Sequence, residues 1–231
     1  MYHHAVEPVT AFVLAGGKSS RMGQDKAFLQ LGGCTLLARA VDLARAAAGG
    51  VYIVGSSEKF AAFGPVIADV YPERGPLGGI HAALTQTDTD LNLMIAVDLP
   101  FLNPSFLKYL ISRARESHAG VVVPKVSGSL QPLCAIYRRS FAEIAERSLR
   151  AGRNKIDSLF SEIQTREIEP EELQQNGFAE EMFRNLNTLE DWTEARVRAS
   201  DLGPQLDRPS CDRKDLLLEK SASDRRRKTE D

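Results

Sequence analysis

The sequence predicts a single α/β domain in which helices cover both faces of a mostly parallel sheet, giving a three-layer sandwich. Short apolar, β-branched segments alternate with segments of helical periodicity over residues 1–200, as in parallel sheets whose strands are joined by helices. Two glycine-rich loops and one acidic residue each follow a predicted strand. In open α/β sheets, ligands bind outside the carboxyl ends of the strands. The alternation therefore predicts both the fold and the position of the site.

The first 90 residues are predicted to hold three strands and two helices. The strands cover residues 9–14, 51–54 and 66–68, each a short, mostly apolar run with one or two valines. The second helix covers residues 79–84. The first helix has apolar residues at helical spacing, and they form one face: Leu36, Leu37, Ala40, Val41 and Ala44.

The next hundred residues continue the alternation. Asn103 is a predicted N-cap with Pro104 at the first helical position, starting a helix to about Arg115. Thr188 and Asp191 have the spacing of a capping box before a helix that ends near residue 199. The other predicted helices cover 140–149 and 154–162, and the strands cover 93–97, 121–123, 132–137 (in the antiparallel direction) and 165–168.

The last 31 residues differ in character from the rest. Residues 201–231 contain eight basic and eight acidic residues and no aromatic residue. Such a segment cannot bury enough apolar surface to fold alone. We therefore expect a single folded domain over residues 1–200 and a charged, disordered tail over 201–231.

Charge and composition exclude several classes of protein. The formal net charge of −2 provides no overall field for nucleic acid or an anionic membrane. No apolar run approaches the length of a membrane span, and the N-terminus lacks the pattern of a secretory signal. Cys34, Cys134 and Cys211 are widely separated and form no CxxC pair, which favours a reducing cytoplasm without disulfides. Anionic ligands must then be held by local cations.

The most informative segment follows the first predicted strand. Gly16 and Gly17 allow close approach of backbone to a ligand, and Lys18, Arg21 and Lys26 follow within ten residues. Exposed backbone N–H groups beside such cations form a nest for phosphate oxygens. The glycine spacing matches neither a Walker A loop nor the GxGxxG dinucleotide fingerprint. The segment therefore predicts a nucleotide site of another kind.

Two further segments extend this site. Asp98 follows an apolar strand, where a carboxylate can bind Mg²⁺ while substrate phosphates and water supply the remaining oxygens. Asp69 precedes a Gly-Pro-Leu-Gly-Gly sequence that ends at Gly79 and leads into a helix, so a ligand could approach the helix N-terminus closely. His81, just beyond, is interpreted as a surface or packing residue.

Residues 14–26 read LAGGKSSRMGQDK and fit the pattern LAGGxSxRMGxDK. This resembles the opening motif of the molybdenum cofactor guanylyltransferase family. The members of that family are molybdopterin nucleotidyltransferases with a Rossmann-like sheet of the glycosyltransferase-A type. Residues 75–79 are similar to its GPLGG segment, residues 131–137 to its QPL(F/C)A(L/I)Y stretch, and residues 185–188 to its NxNT motif. The resemblance covers roughly residues 9 to 198. It implies transfer of GMP from GTP to the terminal phosphate of molybdopterin, with release of pyrophosphate.

The resemblance also implies roles for individual residues. Mg²⁺ is the implied cofactor, GTP and the molybdenum cofactor are the implied substrates, and molybdoenzymes or their chaperones are candidate partners. Arg21 and Lys26 are expected to neutralise the triphosphate, and Asp98 to bind the metal. The backbone N–H groups of residues 15–17 are expected to hold phosphates. The remaining assignments are Leu14, Ala15 and Gly16 beside the base or ribose, Gly17 at the phosphates, Asp69 and Gly78 on the nucleotide, and Gln131, Pro132, Asn185 and Asn187 on the acceptor.

The sequence departs from the family in one place and leaves three alternatives open. The family often has an asparagine for the base near residues 54–56, where this chain has Val-Gly-Ser, so Ser56 or a backbone group would take its place. Molybdopterin cytidylyltransferases usually carry LAAG where this chain has LAGG, and the smaller Gly16 suits a purine. Sugar-phosphate nucleotidyltransferases have GxGTRL instead. A non-catalytic GTP-binding protein that delivers the cofactor would not need both Lys26 and Asp98.

Overall fold

The computed structural model describes residues 7–16, 25–71 and 73–201. Gly17 and Arg21, two predicted site residues, lie outside these ranges, as does the predicted tail beyond residue 201. The strands are β1 (Val9–Leu14), β2 (Gln30–Leu31), β3 (Cys34–Thr35), β4 (Gly50–Val54), β5 (Val66–Ile67), β6 (Leu91–Ala96), β7 (Val121–Val126), β8 (Ser129–Leu130), β9 (Cys134–Arg138) and β10 (Thr165–Ile168). The helices are α1 (Leu36–Arg45), α2 (Ser57–Phe60), α3 (Pro76–Gln86), α4 (Pro104–Glu116), α5 (Phe141–Arg150), α6 (Pro170–Gln175) and α7 (Leu189–Asp201).

The central sheet has the strand order β10-β7-β9-β6-β1-β4-β5, with β8 paired to β7. Strands β6, β1, β4 and β5 are mutually parallel, and β10 is parallel to β7. Strand β9 is antiparallel to both of its neighbours, β6 and β7. The predicted α/β class with a mostly parallel sheet is confirmed, as is the antiparallel direction of the strand near residues 132–137.

Alternate residues of β1 enter two separate hydrophobic cores, as the period of two in a strand requires. Val9, Ala11 and Val13 pack into a core that includes α1, α4, α6 and part of α7. Phe12 and Leu14 pack into the other core, with α3, α5 and the 3-10 helix Asp157–Glu162. Because every residue of β1 is buried, the strand is covered on both faces, and the three layers are those predicted.

Most predicted elements have the expected type. The helix face predicted for α1 is the set of residues that α1 buries, and Asn103 accepts the Phe106 N–H as an N-cap. Residues 154–162 are not an α-helix but contain a 3-10 helix from Asp157 to Glu162, and the strand predicted from Pro132 begins only at Cys134. The hairpin β2–β3 and the short helices α2 and α6 were not predicted, because two to six residues are too few to show periodicity.

The cysteines only partly match expectation. Cys134 is a buried free thiol, and burial raises its pKa, so it is a packing residue. Cys34 is disulfide-bonded, which contradicts the expectation of a chain without disulfides. Within the described ranges, no helix is both long and apolar enough to cross a membrane.

Candidate active site

Three parallel strands end at one edge of the sheet, and each is followed within two residues by a predicted ligand-binding residue. Strand β1 leads to Ala15 and Gly16, β5 leads to Asp69, and β6 leads to Asp98. Strand β9 runs in the opposite direction, so residues 131–132 before it reach the same edge. The fold therefore brings these candidate residues, which lie next to the ends of different strands, to the same edge of the sheet.

The backbone of the turn after β1 is hydrogen-bonded to the ends of the neighbouring strands β4 and β6. The N–H groups of Ala15 and Gly16 both donate to the Val54 carbonyl, at N···O distances of 3.0 and 3.1 Å, and the Leu14 carbonyl accepts the Val97 N–H. In this structure these two N–H groups are therefore hydrogen-bonded within the sheet, and their contact with phosphates stays a prediction. Their hydrogen bonds join β1 to its neighbours and set the direction in which the chain leaves the sheet.

Leu14 and Gly16 occupy different environments within this turn. The Leu14 side chain is buried in the core beneath α3, so it supports the site from below and does not line an open surface. Gly16 is exposed. A Cβ atom on Gly16 would have its nearest neighbours, Val54 O and the Gly55 Cα, at 3.8 and 3.9 Å. An alanine would fit there without moving the fold, so the glycine leaves space above the turn.

Lys26 begins a 3-10 helix, Lys26–Phe28, whose start is fixed by the residue before it. Asp25 Oδ1 accepts the Ala27 N–H at 3.2 Å, and Asp25 Oδ2 accepts the Lys59 ammonium at 2.8 Å. An N-cap carboxylate is a preferred way to satisfy the free N–H groups of a first helical turn. Asp25 therefore orients the turn that presents Lys26.

The Lys26 ammonium contacts residues from two distant parts of the chain. Its Nζ atom lies 3.4 Å from Asp98 Oδ2 and 2.6 Å from Asn187 Oδ1. The Lys26 and Asp98 side chains are 21% and 23% exposed, so the pair lies in a recess that still admits solvent. A cation and a carboxylate at the carboxyl end of β6 form a polar centre suited to phosphate oxygens and a metal ion.

The segment bearing Asn187 is held rigidly against this centre. The Leu186 N–H donates to the Asp98 carbonyl at 3.1 Å, and Leu186 is fully buried. Asp191 Oδ2 accepts the N–H groups of Asn187 and Thr188, while Thr188 Oγ1 accepts the Asp191 N–H. A hydrogen bond from the Thr188 side chain, together with those from the two backbone N–H groups, lowers the pKa of the Asp191 carboxyl. The predicted capping box is confirmed, and it also fixes Asn187 beside Lys26.

The sequence assigned Asn187 and Asn185 together to the acceptor. The structure places Asn187 on the lysine, while Asn185 is exposed two residues earlier. Residues 131–133 run beside the end of β6, since the Leu133 carbonyl accepts the Ala96 N–H at 2.8 Å. The Pro132 carbonyl accepts the Tyr137 hydroxyl, and Gln131 Nε2 donates to the Ser129 carbonyl at 3.4 Å. Gln131 and Pro132 thus lie on the β9 side of Asp98.

Asp69 and Gly78, which the sequence assigned to one site, are in close contact. A Cβ atom on Gly78 would lie 2.8 Å from Asp69 Oδ2 and 3.0 Å from the Tyr71 carbonyl, so only glycine allows the carboxylate to approach the first turn of α3. Asp69 Oδ1 also accepts the Tyr71 N–H at 2.8 Å. Burial raises the pKa of Asp69, partly offset by the Tyr71 N–H and by His81.

His81 is the residue of this region that the sequence did not assign to function. It is a packing residue, as interpreted, with 4% of its surface exposed. However, its Nδ1 atom has no hydrogen-bond partner among the described residues. Its ring meets Tyr71 edge to face, with centroids 5.2 Å apart. Burial lowers the pKa of His81. No pattern in the sequence indicated this pairing, because it depends on how the turn after β5 folds onto α3.

The carboxylate oxygens of Asp98 suit a hard cation whose remaining ligands come from the substrate and water. No cluster of three or more metal-ligating side chains occurs in the described part of the chain. Among the residues that the structure describes, Asp98 presents the carboxylate that pairs with Lys26. Mg²⁺ is commonly held by one or two carboxylates together with phosphates and water, so the residues present fit that ion when a triphosphate is bound.

Several known proteins that are similar to this chain carry names from molybdenum cofactor biosynthesis. Residues 11–167 match the family model described as MobA-like NTP transferase domain. A relative in Desulfosudis oleivorans, named molybdenum cofactor guanylyltransferase, is 34% identical over 83% of this chain and 96% of its own length. A relative in Carboxydothermus hydrogenoformans, named probable molybdenum cofactor guanylyltransferase, is 34% identical over 81% of this chain and 94% of its own. The crystal structure of molybdopterin-guanine dinucleotide biosynthesis protein A from Archaeoglobus fulgidus superposes with a TM-score of 0.73 at 27% identity, covering 83% of this chain and 99% of that one.

Proposed function

Because the chain belongs to the MobA-like NTP transferase family, we propose that it transfers the GMP group of GTP to the terminal phosphate of molybdopterin. The products are the guanine dinucleotide form of the molybdenum cofactor and pyrophosphate. The observation that carries this proposal is the placement of the Lys26 ammonium between Asp98 and Asn187 at the carboxyl edge of the sheet. The names of the relatives in Desulfosudis and Archaeoglobus support the choice of substrates.

The reaction brings two polyanions together. A phosphate oxygen of the acceptor attacks the α-phosphorus of GTP and forms a new P–O bond. The bond from that phosphorus to the bridging oxygen of the β-phosphate breaks, and pyrophosphate leaves with the electron pair. The attacking oxygen is already ionised at neutral pH, so no general base is required. Catalysis then consists of positioning and charge neutralisation.

Lys26 would supply positive charge for this neutralisation. It is fixed by the cap at Asp25 and by the contact with Asn187, so little rearrangement is needed when negative charge develops on the leaving group. Preorganised charges of this kind are worth more in a partly dehydrated site than in water. Arg21, predicted for the same purpose, lies outside the described residues and stays a prediction.

Asp98 would hold Mg²⁺ in the loaded enzyme. The ion would supply Lewis-acid polarisation of the phosphate oxygens. Asp98 itself is fixed by the hydrogen bond from the Leu186 N–H to its carbonyl, which makes the position of the carboxylate depend on the C-terminal segment. The acceptor would lie against Gln131 and Pro132, on the β9 side of Asp98, and against Asn185 and Asn187.

The nucleoside would lie on the opposite side of β1, toward Asp69 and Gly78. Asp69 approaches the start of α3 because Gly78 has no side chain, and a carboxylate at this position can accept hydrogen bonds from ribose or base. Gly16 leaves space above the β1 turn, which suits a purine. We further propose that the protein acts in the cytoplasm and passes its product to molybdoenzymes or their chaperones.

The test is pyrophosphate release by purified protein with molybdopterin and Mg²⁺, with GTP or CTP supplied in parallel. GTP-dependent release that requires Mg²⁺ is expected. Lys26→Ala should lower turnover about 10²-fold, the typical effect of losing one preorganised charge or donor, and Asp98→Asn should abolish the Mg²⁺-dependent rate. Lys108→Ala, an exposed lysine of α4, is the matched control. Release with CTP alone would contradict the choice of base, and release with neither nucleotide would contradict the proposed function.

A further inference from the structure

The short helix α2 and the residues after it pack against the 3-10 helix that begins with Lys26. Phe28 is the last residue of that 3-10 helix. Its ring centroid lies 5.8 Å from that of Phe60 and 6.1 Å from that of Phe63. Aromatic pairs at these separations attract one another in addition to the area they bury. The segment that presents Lys26 is therefore held from the β4 side of the sheet.

Helix α2 is itself fixed at the end of β4. Phe60 is 2% exposed and belongs to the core that includes α1. A Cβ atom on Gly55 would lie 2.7 Å from Phe60 Cε2, so glycine at this position allows the ring to pack directly against the end of the strand. The N–H groups of Lys59 and Phe60 donate to the Ser56 carbonyl at 3.2 and 3.0 Å. Although α2 has only four residues, its position is well defined.

An ion pair joins α2 to the start of the 3-10 helix. The Lys59 ammonium lies 2.8 Å from Asp25 Oδ2, while Asp25 Oδ1 accepts the Ala27 N–H at 3.2 Å. The lysine side chain is 56% exposed and the aspartate side chain 23%. Ion pairs with this much exposure add little to the stability of a fold. The consequence of the pair therefore lies in the charge that it balances.

That charge is next to Lys26 in the chain. The Lys26 ammonium is held by Asp98 and Asn187, and a carboxylate on the preceding residue could attract the same ammonium if it were unpaired, because opposite charges interact strongly at short range in a partly buried site. Lys59 is the cation that pairs with Asp25 among the residues that the structure describes. It occupies one carboxylate oxygen and leaves the other to cap the 3-10 helix.

We propose that Lys59 is a positioning residue for Lys26. By pairing with Asp25, it keeps that carboxylate in its capping position and prevents it from drawing the Lys26 ammonium away from its two partners. Lys59 itself does not contact the nucleotide. The proposal rests on the proposed function, since it assumes that Lys26 acts on the triphosphate.

The experiment is a double-mutant cycle on Lys59 and Asp25 in the full chain, measured by steady-state pyrophosphate release with GTP and by thermal melts. Lys59→Met should lower kcat/KM about fivefold to tenfold, a usual coupling between groups in contact. The loss should fall mainly on kcat, because Lys26 acts on charge that develops on the leaving group. Lys59→Arg keeps the positive charge and should retain most of the wild-type rate.

The Asp25 variant separates charge balance from a structural link. Asp25→Asn keeps the capping oxygen and removes the negative charge, so it should lose less than Lys59→Met, about threefold at most. In this background Lys59→Met should have almost no further effect, because the charge that Lys59 balances is gone. All variants should melt close to wild type. Lys108→Met, at an exposed lysine of α4, is the matched control.

Three results would overturn the inference. Wild-type kinetics in Lys59→Met would show that Lys26 does not depend on it. Equal losses from Lys59→Met with and without the Asp25 carboxylate would show that Lys59 acts on the nucleotide directly. Equal losses in Lys59→Met and Asp25→Asn would show that the pair is a structural link only. If the wild-type protein releases no pyrophosphate, the proposed function fails and this inference with it, whereas the results for Lys59 alone leave the proposed function intact.

Discussion

The Lys26 ammonium lies 2.6 Å from the side-chain oxygen of Asn187, although the two residues are 161 positions apart in the chain. The same ammonium contacts Asp98 at 3.4 Å. The opening motif, the central carboxylate and the C-terminal NLNT segment therefore form one site. A lysine held on two sides is restricted to fewer conformations before a ligand arrives, which lowers the entropic cost of binding.

Replacing Asn187 tests this arrangement. Asn187→Ala leaves Lys26 held by Asp98 alone, and kcat/KM should fall about tenfold, since a small misplacement of a catalytic group is costly. Asn187→Asp should weaken GTP binding further, because it adds a negative charge where the triphosphate is expected. Steady-state kinetics with GTP measures both. Asn154→Ala, in an exposed loop, is the control, and wild-type kinetics in both Asn187 variants would remove Asn187 from the site.

The two adjacent glycines at the start of α3 provide a matched pair. In Gly78→Ala, the new Cβ atom would lie 2.8 Å from Asp69 Oδ2, so the carboxylate must move and GTP affinity should fall at least tenfold, by analogy with other misplaced site groups. In Gly79→Ala the nearest atoms are Val54 Cγ1 and Leu14 Cδ2, at 3.4 and 3.5 Å, which is ordinary contact.

Both substitutions replace glycine inside a helix, which by propensity alone adds about 1 kcal/mol of stability. A selective loss of GTP affinity in Gly78→Ala therefore reports the displacement of Asp69 and not a general loss of structure. Calorimetric titration with GTP, alongside thermal melts, measures both effects. Equal GTP affinity in the two variants would contradict the assignment of Asp69 to the nucleotide.

Asp69 is expected to lower the stability of the fold at neutral pH. Burial raises its pKa, so the folded state favours the protonated form, and that stabilisation is lost as the pH rises from below 3.8 through the folded-state pKa. Asp69→Asn is neutral and can still accept the Tyr71 N–H, so it should melt at a higher temperature than wild type at pH 7. The difference should shrink as the pH falls toward 4. Thermal melts across this range test it, and a lower melting temperature for the variant at pH 7 would contradict the prediction.

Gly16 tests the choice of nucleotide. Gly16→Ala should fold normally, because the added Cβ has no neighbour closer than 3.8 Å. The methyl group would occupy space above the β1 turn, and we expect the ratio of kcat/KM for GTP to that for CTP to fall about tenfold, the effect of a small steric change in a binding pocket. Parallel assays with the two nucleotides measure the ratio. An unchanged ratio in a normally folded variant would show that the purine preference arises elsewhere.

Local chemistry made much of this molecule predictable from its sequence. Periodicity identified α1 through its buried face, and Asn103 and Pro104 identified the start of α4, because these signals depend only on neighbours along the chain. Strand–helix alternation identified the α/β class, and the glycine and aspartate positions after strands indicated the edge at which we expect ligands to bind. The sequence by itself also determined that Thr188 and Asp191 cap α7, since the two lie three residues apart.

Only the tertiary structure decided which groups at that edge are free of other contacts and which are buried or hydrogen-bonded within the fold. It committed the Ala15 and Gly16 N–H groups to Val54, placed Leu14 in the core, and brought Asn187 to Lys26. It also set His81 against Tyr71 with an unpaired nitrogen near Asp69. These relationships join segments from different strands and helices, so they follow from the order of strands and the packing of layers. Nothing in the spacing of residues along the chain specifies such distances.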